Sequence, residues 1–282
     1  MYSINTICVC GAGTMGSGIT QLVAQSGFSV IQFDVNDSML IKSKAAIGKR
    51  LDKLIEKGKL QVAEKVQVLE RIRFTSTINE CVADLIIEAV VENKTIKQQL
   101  FDDLGNINSG ATIFATNTSS ISVTGLSDGK NYASRFAGLH FFNPPQVMKL
   151  VEIIRTEKTT DATTETLIQL AKQLGKTPVV CSDAPGFIVN RVARHYYLEA
   201  MQLVEKNIAD FKTIDDIMEA TGFKLGPFKL MDMIGMDVNY SVSNIVWEAL
   251  NKPERLKPSS IQKNKVEANE LGIKTGKGFY DY

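Results

Sequence analysis

The sequence has few histidines and no long apolar run. Only 2 of the 282 residues are histidine, so few side chains can act as a base near neutral pH. No apolar run approaches the roughly 18 to 20 residues that cross a membrane, so no membrane function is predicted. The first residues also lack the basic start and the small-residue cleavage site of a secretory leader, so none is expected.

Cysteine is also scarce. The 4 cysteines are Cys8, Cys10, Cys81 and Cys181, and their spacing matches no metal-ligand pattern and no small-domain disulfide framework. We therefore predict reduced thiols, a cytoplasmic location and no metal site. Cys8 and Cys10 are expected to fill a buried strand.

The chain is nearly neutral, with a formal net charge of +1, and this argues against general nucleic-acid binding. Its hydrophobic content of 44% and charged content of 22% are typical of a soluble globular protein. A length of 282 residues allows two domains of ordinary size.

The N-terminal stretch carries a dinucleotide-binding pattern, in which Gly11-Ala12-Gly13-Thr14-Met15-Gly16 lies between a short apolar strand and a helix that ends at Gly27. Gly11 permits a tight turn, and Gly13 lets the backbone approach a pyrophosphate at the helix N-terminus. Gly16 lets the helix and the strand pack closely. A glycine-rich turn without a ligand is the alternative, but the flanking strands and helix favour a dinucleotide.

Asp34 stands at the end of the second predicted strand, about 20 residues beyond the glycine motif. An acid at this place should hydrogen-bond the adenosine ribose hydroxyls. Its charge would repel a 2′-phosphate, so the sequence predicts NAD as the cofactor rather than NADP.

Alternating strand and helix patterns predict an α/β fold: a Rossmann-type, doubly wound, mostly parallel sheet followed by a smaller all-α domain. The continuous apolarity of 84–91 indicates a strand buried on both faces. The run 182–186 then breaks the pattern, so an NAD-binding domain is predicted at 1–183 and a helical domain at 184–282. Predicted strands cover 5–10, 29–33, 71–74, 84–91, 112–116, 136–142, 149–154 and 177–181, and the C-terminal helices cover 187–206, 213–220, 230–250 and 261–271.

The stretch 137–152 contains the best candidate for a catalytic base. An apolar strand delivers His140 to its end, Pro144-Pro145 reverse the chain, and a second apolar run leads to Glu152. Two strands joined by a turn can bring these residues side by side, which is the geometry for a carboxylate that orients a histidine base. The alternative is a histidine that only caps a strand. His195 lies within a predicted helix and is interpreted as structural.

Two polar segments have both a functional and a structural interpretation. Asn117-Thr118-Ser119-Ser120 follows a predicted strand, where ligands of open α/β sheets bind. Serine and asparagine are also the usual helix caps. Residues 42–59 hold seven basic residues against two acidic ones. A solvated helix face is the ordinary explanation of that excess, and a landing site for a phosphate-rich ligand is the functional one.

Together these motifs resemble the short-chain L-3-hydroxyacyl-CoA dehydrogenases, including the bacterial 3-hydroxybutyryl-CoA dehydrogenases, over nearly the whole chain. The resemblance rests on the glycine motif, the polar loop and four further segments. These are His140-Phe141-Phe142-Asn143-Pro144, Met148-Lys149-Leu150-Val151-Glu152, Ala184-Pro185-Gly186-Phe187 with Asn190-Arg191, and Lys274-Thr275-Gly276-Lys277-Gly278-Phe279-Tyr280.

The resemblance implies an NAD-dependent enzyme of fatty acid metabolism that interconverts (S)-3-hydroxyacyl-CoA and 3-oxoacyl-CoA, with 3-hydroxybutyryl-CoA as the expected substrate. It implies His140 as the base and Glu152 as the residue that orients it. Ser119 would hydrogen-bond the substrate oxygen, and Asn190 would position the thioester. The positions implied near NAD are Gly11, Gly13, Thr14, Met15, Gly16, Asp34, Glu92, Lys97, Asn117, Ser119, Asn143 and Lys274.

The resemblance also gives the basic helix a ligand, because coenzyme A carries phosphate groups. Arg50, Lys53 and Lys57 are the candidate contacts. The family's helical C-terminal domain usually contributes to the substrate site and makes a homodimer, so a homodimer is expected here.

Two departures from the family pattern concern the acyl group. Pro145-Gln146 replaces a small residue and proline, and 223–230 is bulkier and more basic than usual. Lys224 and Lys229 suggest a 3-hydroxyadipyl-CoA type dehydrogenase, which would accept acidic acyl groups.

Two further interpretations compete with this family. One is a 3-hydroxyisobutyrate or phosphogluconate type dehydrogenase, which also opens with a glycine turn but relies on a catalytic lysine that we do not find after a glycine-rich strand. The second is a catalytically silent, crystallin-like NAD-binding protein. The joint presence of His140, Glu152, Ser119 and Asn190 argues against it.

Overall fold

The computed structural model describes residues 2–282, which divide into one compact unit ending at Asp183 and a second beginning at Ala184. The first unit contains an eight-stranded sheet with the order β3-β2-β1-β4-β5-β6-β7-β8. All neighbours are parallel except β6 and β7, so the predicted doubly wound, mostly parallel sheet is confirmed. The strands are β1 (Thr6–Cys10), β2 (Ser29–Phe33), β3 (Ile72–Thr75), β4 (Leu85–Glu88), β5 (Ile113–Thr116), β6 (Phe136–Phe141), β7 (Leu150–Arg155) and β8 (Thr177–Ser182).

Helices of the first unit connect these strands and bury one apolar face each. On α1, Ile19, Leu22 and Val23 are buried against the sheet, as the spacing predicted. Asn36 caps α2 by accepting a hydrogen bond from the Ser38 amide. The helices are α1 (Thr14–Gln25), α2 (Asp37–Glu56), α3 (Val62–Glu70), α4 (Lys94–Ile107), α5 (Val123–Ser127) and α6 (Asp161–Gln173).

The core of the sheet is apolar at its centre. Cys8 and Cys10 are completely buried, as expected. Phe101 of α4 packs in a cluster of four aromatic rings, and the contacting rings have centroids 4.7–6.5 Å apart. The other three rings are Phe114, Tyr132 and Phe136. Each such ring contributes about 1.5–3 kcal/mol by leaving water, so the strands that carry the polar loops are anchored in a rigid interior.

The second unit consists of helices and their connecting segments, with isolated β-bridges of Lys277 to Gly272 and Asp281 near the C-terminus. The sequence predicted one helix over 230–250, and this is wrong, because Gly235 adopts φ 101° between two separate helices. That backbone conformation cannot continue a right-handed helix. The helices are α7 (Val189–Glu205), α8 (Phe211–Ala220), α9 (Pro227–Ile234), α10 (Met236–Ala249) and α11 (Ser260–Glu267).

In residues 2–282, no helix is both long enough and apolar enough to span a bilayer. The helices of the second unit pack around Tyr197, Met201, Phe228 and Met236. Two buried carboxylates complete this unit: Asp215 accepts hydrogen bonds from amides at the start of α9, and Asp232 accepts from amides near the C-terminus.

Candidate active site

The turn between β1 and α1 forms a cradle that requires glycine at positions 11 and 16. Gly11 has φ 111°, and a Cβ there would lie 2.4 Å from the Ala89 oxygen. A Cβ on Gly16 would lie 2.0 Å from the Gly11 oxygen, whereas one on Gly13 would meet nothing within 4 Å. No side chain at Gly13 caps α1. The first amides of the helix therefore border open space, which fits the pyrophosphate of NAD.

Asp34 is held beside this cradle at the end of β2. Its Oδ2 accepts a hydrogen bond from the Ala12 amide at 2.8 Å, and its Oδ1 accepts one from the Asn36 amide at 3.0 Å. The carboxylate is half-buried. The same side chain thus ties the glycine turn to the strand end and presents its negative charge where a ribose would lie in this fold.

His140 and Glu152 are directly opposite each other on the antiparallel strands β6 and β7. His140 Nδ1 lies 2.8 Å from Glu152 Oε2, and the two residues are 6% and 1% exposed. The Phe142 ring packs against the imidazole, with its centroid 4.6 Å away. Strand pairing therefore positions a buried carboxylate to orient the imidazole and to stabilise its protonated form.

The polar loop after β5 faces the same edge of the sheet. Asn117 Oδ1 accepts a hydrogen bond from the Phe141 amide at 2.8 Å, which joins this loop to the strand that carries His140. The loop does not cap the next helix, because Ser122 caps α5 instead. The alternative interpretation of Asn117-Thr118-Ser119-Ser120 as a helix cap is therefore wrong.

Glu92 and Lys97 belong to a charged network that also contains Glu88, a residue that the sequence reasoning missed. The Lys97 ammonium contacts Glu88 Oε1 and lies 3.0 Å from Glu92 Oε2. Burial raises the pKa of Glu88, although Lys97 and Thr116 oppose that shift. Burial also pushes the pKa of Glu92 upward, but Lys97 and Thr118 outweigh it, so that pKa lies below its ordinary value. The sequence did contain a signal for Glu88, because an acid within the apolar run 84–91 needs a buried partner.

Lys176, a second residue that the sequence reasoning missed, binds backbone carbonyls of the turn between β6 and β7. Its ammonium is buried and donates to the carbonyl oxygens of Pro145 at 2.6 Å and Met148 at 2.8 Å. Burial lowers the pKa of Lys176. Pro145 and Gln146 also pack tightly against Gly18 of α1. Pro145 and Gln146, which depart from the family pattern, are therefore fixed against α1.

The basic helix divides into inward and outward residues. Arg50 donates from Nε to Gln21 at 2.6 Å and from Nη2 to the Ser17 carbonyl at 3.2 Å, so it joins α2 to α1. Lys53 and Lys57 are exposed. Of the three candidate coenzyme A contacts, only these two lysines are presented to solvent.

The remaining predicted positions are distributed over both units. Asn143 is exposed beside the cis bond to Pro144. Asn190 lies in the first turn of α7, and Lys274 pairs with Asp237, both in the second unit. Their roles toward residues of the first unit stay predictions. His195 is exposed and its Nε2 lies 3.0 Å from Arg255.

Comparisons with known proteins agree across the chain. Residues 6–184 match the family model for the 3-hydroxyacyl-CoA dehydrogenase NAD binding domain, and residues 186–282 match that for the C-terminal domain. A probable 3-hydroxybutyryl-CoA dehydrogenase of Deinococcus radiodurans is 42% identical over 276 residues, which are 97% of this chain and 99% of the relative.

A curated relative and a solved structure, both from Escherichia coli K12, are longer than this chain. The 3-hydroxyadipyl-CoA dehydrogenase is 39% identical over 284 residues, and the match spans 100% of this chain but 60% of that protein. The crystal structure of a 3-hydroxybutyryl-CoA dehydrogenase has a TM-score of 0.96 at 40% identity, and covers 99% of this chain and 60% of the longer protein.

The two domain matches meet close to the boundary between the two compact units. The N-terminal match contains the glycine cradle, Asp34 and the paired His140 and Glu152. The chain therefore belongs to the 3-hydroxyacyl-CoA dehydrogenase family and is an NAD-dependent oxidoreductase.

Proposed function

We propose that this chain interconverts (S)-3-hydroxybutyryl-CoA and acetoacetyl-CoA in fatty acid metabolism. The observation that carries the proposal is the buried contact of 2.8 Å between His140 Nδ1 and Glu152 Oε2. Because Nδ1 is committed to Glu152, Nε2 is the ring nitrogen through which His140 exchanges a proton with the substrate hydroxyl.

In the oxidation direction, NAD held by the glycine turn and Asp34 would supply the acceptor for the hydride of the C3–H bond. The hydroxyl proton goes to His140, and the C3–O bond becomes a carbonyl. Glu152 stabilises the imidazolium that results. Ser119 hydrogen-bonds the substrate oxygen, and Asn190 positions the thioester. These roles come from the family resemblance, and the geometry of the first unit supports those of His140 and Glu152.

A second candidate substrate is 3-hydroxyadipyl-CoA. It is favoured by the match to the E. coli 3-hydroxyadipyl-CoA dehydrogenase over the whole chain and by the exposed Lys224. Lys229 favours it less than its sequence position suggests, since its ammonium donates to Glu219 at 2.9 Å and lies 3.9 Å from Asp216. With that charge already neutralised, we place 3-hydroxybutyryl-CoA first.

The deciding experiment follows NADH consumption by absorbance with acetoacetyl-CoA and with 3-oxoadipyl-CoA. We expect a higher kcat/KM for acetoacetyl-CoA. A clear preference for the acidic substrate would replace the first candidate by the second. No turnover of either, with NADH still bound, would support the silent, crystallin-like alternative.

NAD preference should depend on the charge of Asp34. The Asp34→Asn variant keeps an oxygen that can accept from the Ala12 amide, but it removes the repulsion of a 2′-phosphate. We expect the wild type to favour NADH over NADPH by about 100-fold in kcat/KM, which is about 2.7 kcal/mol. The variant should narrow that ratio at least about tenfold without losing thermal stability. Equal use of both cofactors by the wild type would refute the assignment.

Lys53 on α2 and Lys57 at its C-cap are proposed to bind the phosphates of coenzyme A. Exposed charge contacts contribute about 0.2–1 kcal/mol each, so Lys53→Ala with Lys57→Ala should raise KM for acetoacetyl-CoA about 2- to 30-fold. KM for the pantetheine analogue should stay constant. The matched control is Lys158→Ala with Lys172→Ala, which removes two exposed lysines elsewhere in the first unit. Equal changes in both KM values would show that α2 is only a solvated face.

We also propose a cytoplasmic homodimer that associates through the C-terminal helices. The second unit presents several exposed apolar side chains, including Val192 at 65%, Ile217 at 57% and Met233 at 55%. These side chains supply apolar surface that a subunit interface could bury. The four free cysteines fit a reducing compartment. Sedimentation at micromolar concentration would test the dimer.

A further inference from the structure

Lys97 is a fully buried cation held between two carboxylates. Its side chain is 1% exposed, and it contacts Glu88, which is 0% exposed, and Glu92, which is 39% exposed. Buried ion pairs contribute little net stability compared with apolar residues of similar volume. Stability alone therefore does not account for a lysine at this place, and the arrangement points to a role in fixing geometry.

Glu88 lies where the sheet changes direction. It is the last residue of β4 and is paired with Cys10 at the end of β1. The strand order runs outward in opposite directions from these two strands, and ligands of such sheets bind beyond this point. Glu88 therefore lies at the strand ends where an NAD-binding domain of this fold holds its cofactor.

Three hydrogen bonds, the one from Lys97 included, fix Glu88 and connect it to β5. Its Oε2 accepts from Thr116 Oγ1 at 2.6 Å, and its Oε1 accepts from the Val90 amide at 2.8 Å as well as from Lys97. A carboxylate with this many donors has one possible orientation. Lys97 consequently has a fixed counter-ion beneath it.

Glu92 connects Lys97 to the polar loop 117–120. While its Oε2 faces Lys97, its Oε1 accepts hydrogen bonds from the Thr118 hydroxyl, from the Ser119 amide at 3.3 Å and from the Ser120 hydroxyl at 2.9 Å. Every residue from 118 to 120 is thus attached to one carboxylate, and that carboxylate is attached to Lys97.

We infer that Glu88 is a positioning residue, which fixes Lys97 so that Glu92 holds the Ser119 loop at the cofactor edge. The inference rests on the proposed role of Ser119 for its catalytic consequence. The contacts among Glu88, Lys97 and Glu92 can be tested without that role. NADH affinity and the ionisation of Glu88 in the cofactor-free protein are measured without turnover.

A double-mutant cycle tests whether Glu88 acts through Lys97. Glu88→Gln keeps the shape and can retain the contacts to Thr116 and Val90, while Lys97→Met removes the ammonium. Loss of the outer partners of metal ligands commonly changes metal affinity about 10- to 100-fold, and we expect Lys97→Met to raise Kd for NADH by a similar factor. Glu88→Gln should raise it less, and the double variant should match Lys97→Met. Losses that multiply would overturn the inference.

Thermal stability of the cofactor-free protein gives a second measurement. Besides Lys97, Glu88 contacts the Thr116 hydroxyl and the Val90 amide and lies near the Cys10 thiol, none of which is cationic. The other charged group that contacts Lys97, Glu92, is an acid. Without Lys97, Glu88 should then stay protonated in the folded state above its unfolded pKa. Because the folded state binds the extra proton, Tm of Lys97→Met should fall as pH rises from about 4.3 toward the folded pKa. Adding Glu88→Gln should abolish most of this slope, and an unchanged slope would contradict the inference.

The control variant is Lys130→Met, which breaks the ion pair of 2.6 Å with Asp102 on the same helix as Lys97, α4. It should change Tm but not Kd for NADH. In activity assays, Glu88→Gln should lower kcat at least about fivefold while KM for acetoacetyl-CoA changes less. If the wild type does not reduce acetoacetyl-CoA, the proposed function fails, and the NADH and pH measurements still decide the role of Glu88.

Discussion

Replacing His140 by glutamine should lower kcat by about 10² to 10⁴-fold, the usual contribution of a general base. Glutamine keeps a polar side chain of similar reach but cannot accept the substrate proton near neutral pH. NADH should still bind within about threefold, because the glycine cradle and Asp34 belong to different elements of the first unit. Fluorescence titration with NADH and steady-state kinetics with acetoacetyl-CoA measure the two effects separately.

The Glu152→Gln variant should lose kcat over the same range. Its amide cannot stabilise the imidazolium, and the buried contact of 2.8 Å places little water between the two groups to replace that charge. Since the two residues act as a unit, the double variant should be little worse than the poorer single variant. His195→Gln, which changes an exposed histidine of the second unit, is the matched control and should stay active. Near-full kcat in His140→Gln, or losses that multiply, would end this mechanism.

The histidine and glutamate pair was predictable because strand pairing has a simple period. Two apolar runs joined by a proline turn could only pair antiparallel, and the directly opposite register then followed from the lengths of the runs. The glycine cradle was predictable for a similar reason, since the backbone geometry at Gly11 and Gly16 excludes residues with a side chain. The His140–Glu152 contact lies within one β-hairpin and the Gly16–Gly11 contact within one strand–helix unit, whereas the approach of Ala89 to Gly11 depends on the position of β4.

Glu88 and Lys176 were missed because their partners are distant in sequence or are backbone atoms. Glu88 lies within a run that reads as a buried strand, and only the fold shows Lys97 and Thr116 around it. Lys176 binds carbonyl oxygens, and no sequence pattern indicates which carbonyls need a donor. Arg50 was interpreted from charge alone, and its hydrogen bonds to α1 depend on how two helices pack.

The boundaries of several elements differed for local reasons. The fourth strand ends at Glu88 rather than at residue 91, because the Glu88 carboxylate accepts from the Val90 amide and the chain turns there. The helix predicted over 230–250 is divided at Gly235 by its positive φ. The apolar pattern continued through both places, but a local hydrogen bond ended the strand and a single backbone angle divided the helix.

The glycines of the cradle should separate folding from cofactor binding. A Cβ on Gly16 would lie 2.0 Å from the Gly11 carbonyl oxygen, and neither backbone can move without breaking the packing of α1 on β1. Overpacking typically costs about 1–3 kcal/mol and occasionally more, and a clash of 2.0 Å between a Cβ and a backbone oxygen belongs at the upper end of that range. Gly16→Ala should therefore lower Tm by at least about 6 °C, with weaker NADH binding as a consequence of the disturbed turn.

Gly13→Ala should weaken NADH binding without lowering the thermal stability. Its φ of −72° suits alanine, and a Cβ there meets nothing within 4 Å in the cofactor-free protein. Tm should therefore change by less than about 2 °C. The methyl group would occupy the space through which a pyrophosphate reaches the first amides of α1, so Kd for NADH should rise about 10- to 100-fold, equivalent to about 1.4–2.7 kcal/mol. The Gly27→Ala variant, at a helix end with open space and φ 95°, should lower Tm without this loss of affinity. Unaltered NADH binding in Gly13→Ala would show that the pyrophosphate does not lie over this turn, even though Gly16 holds the turn in shape.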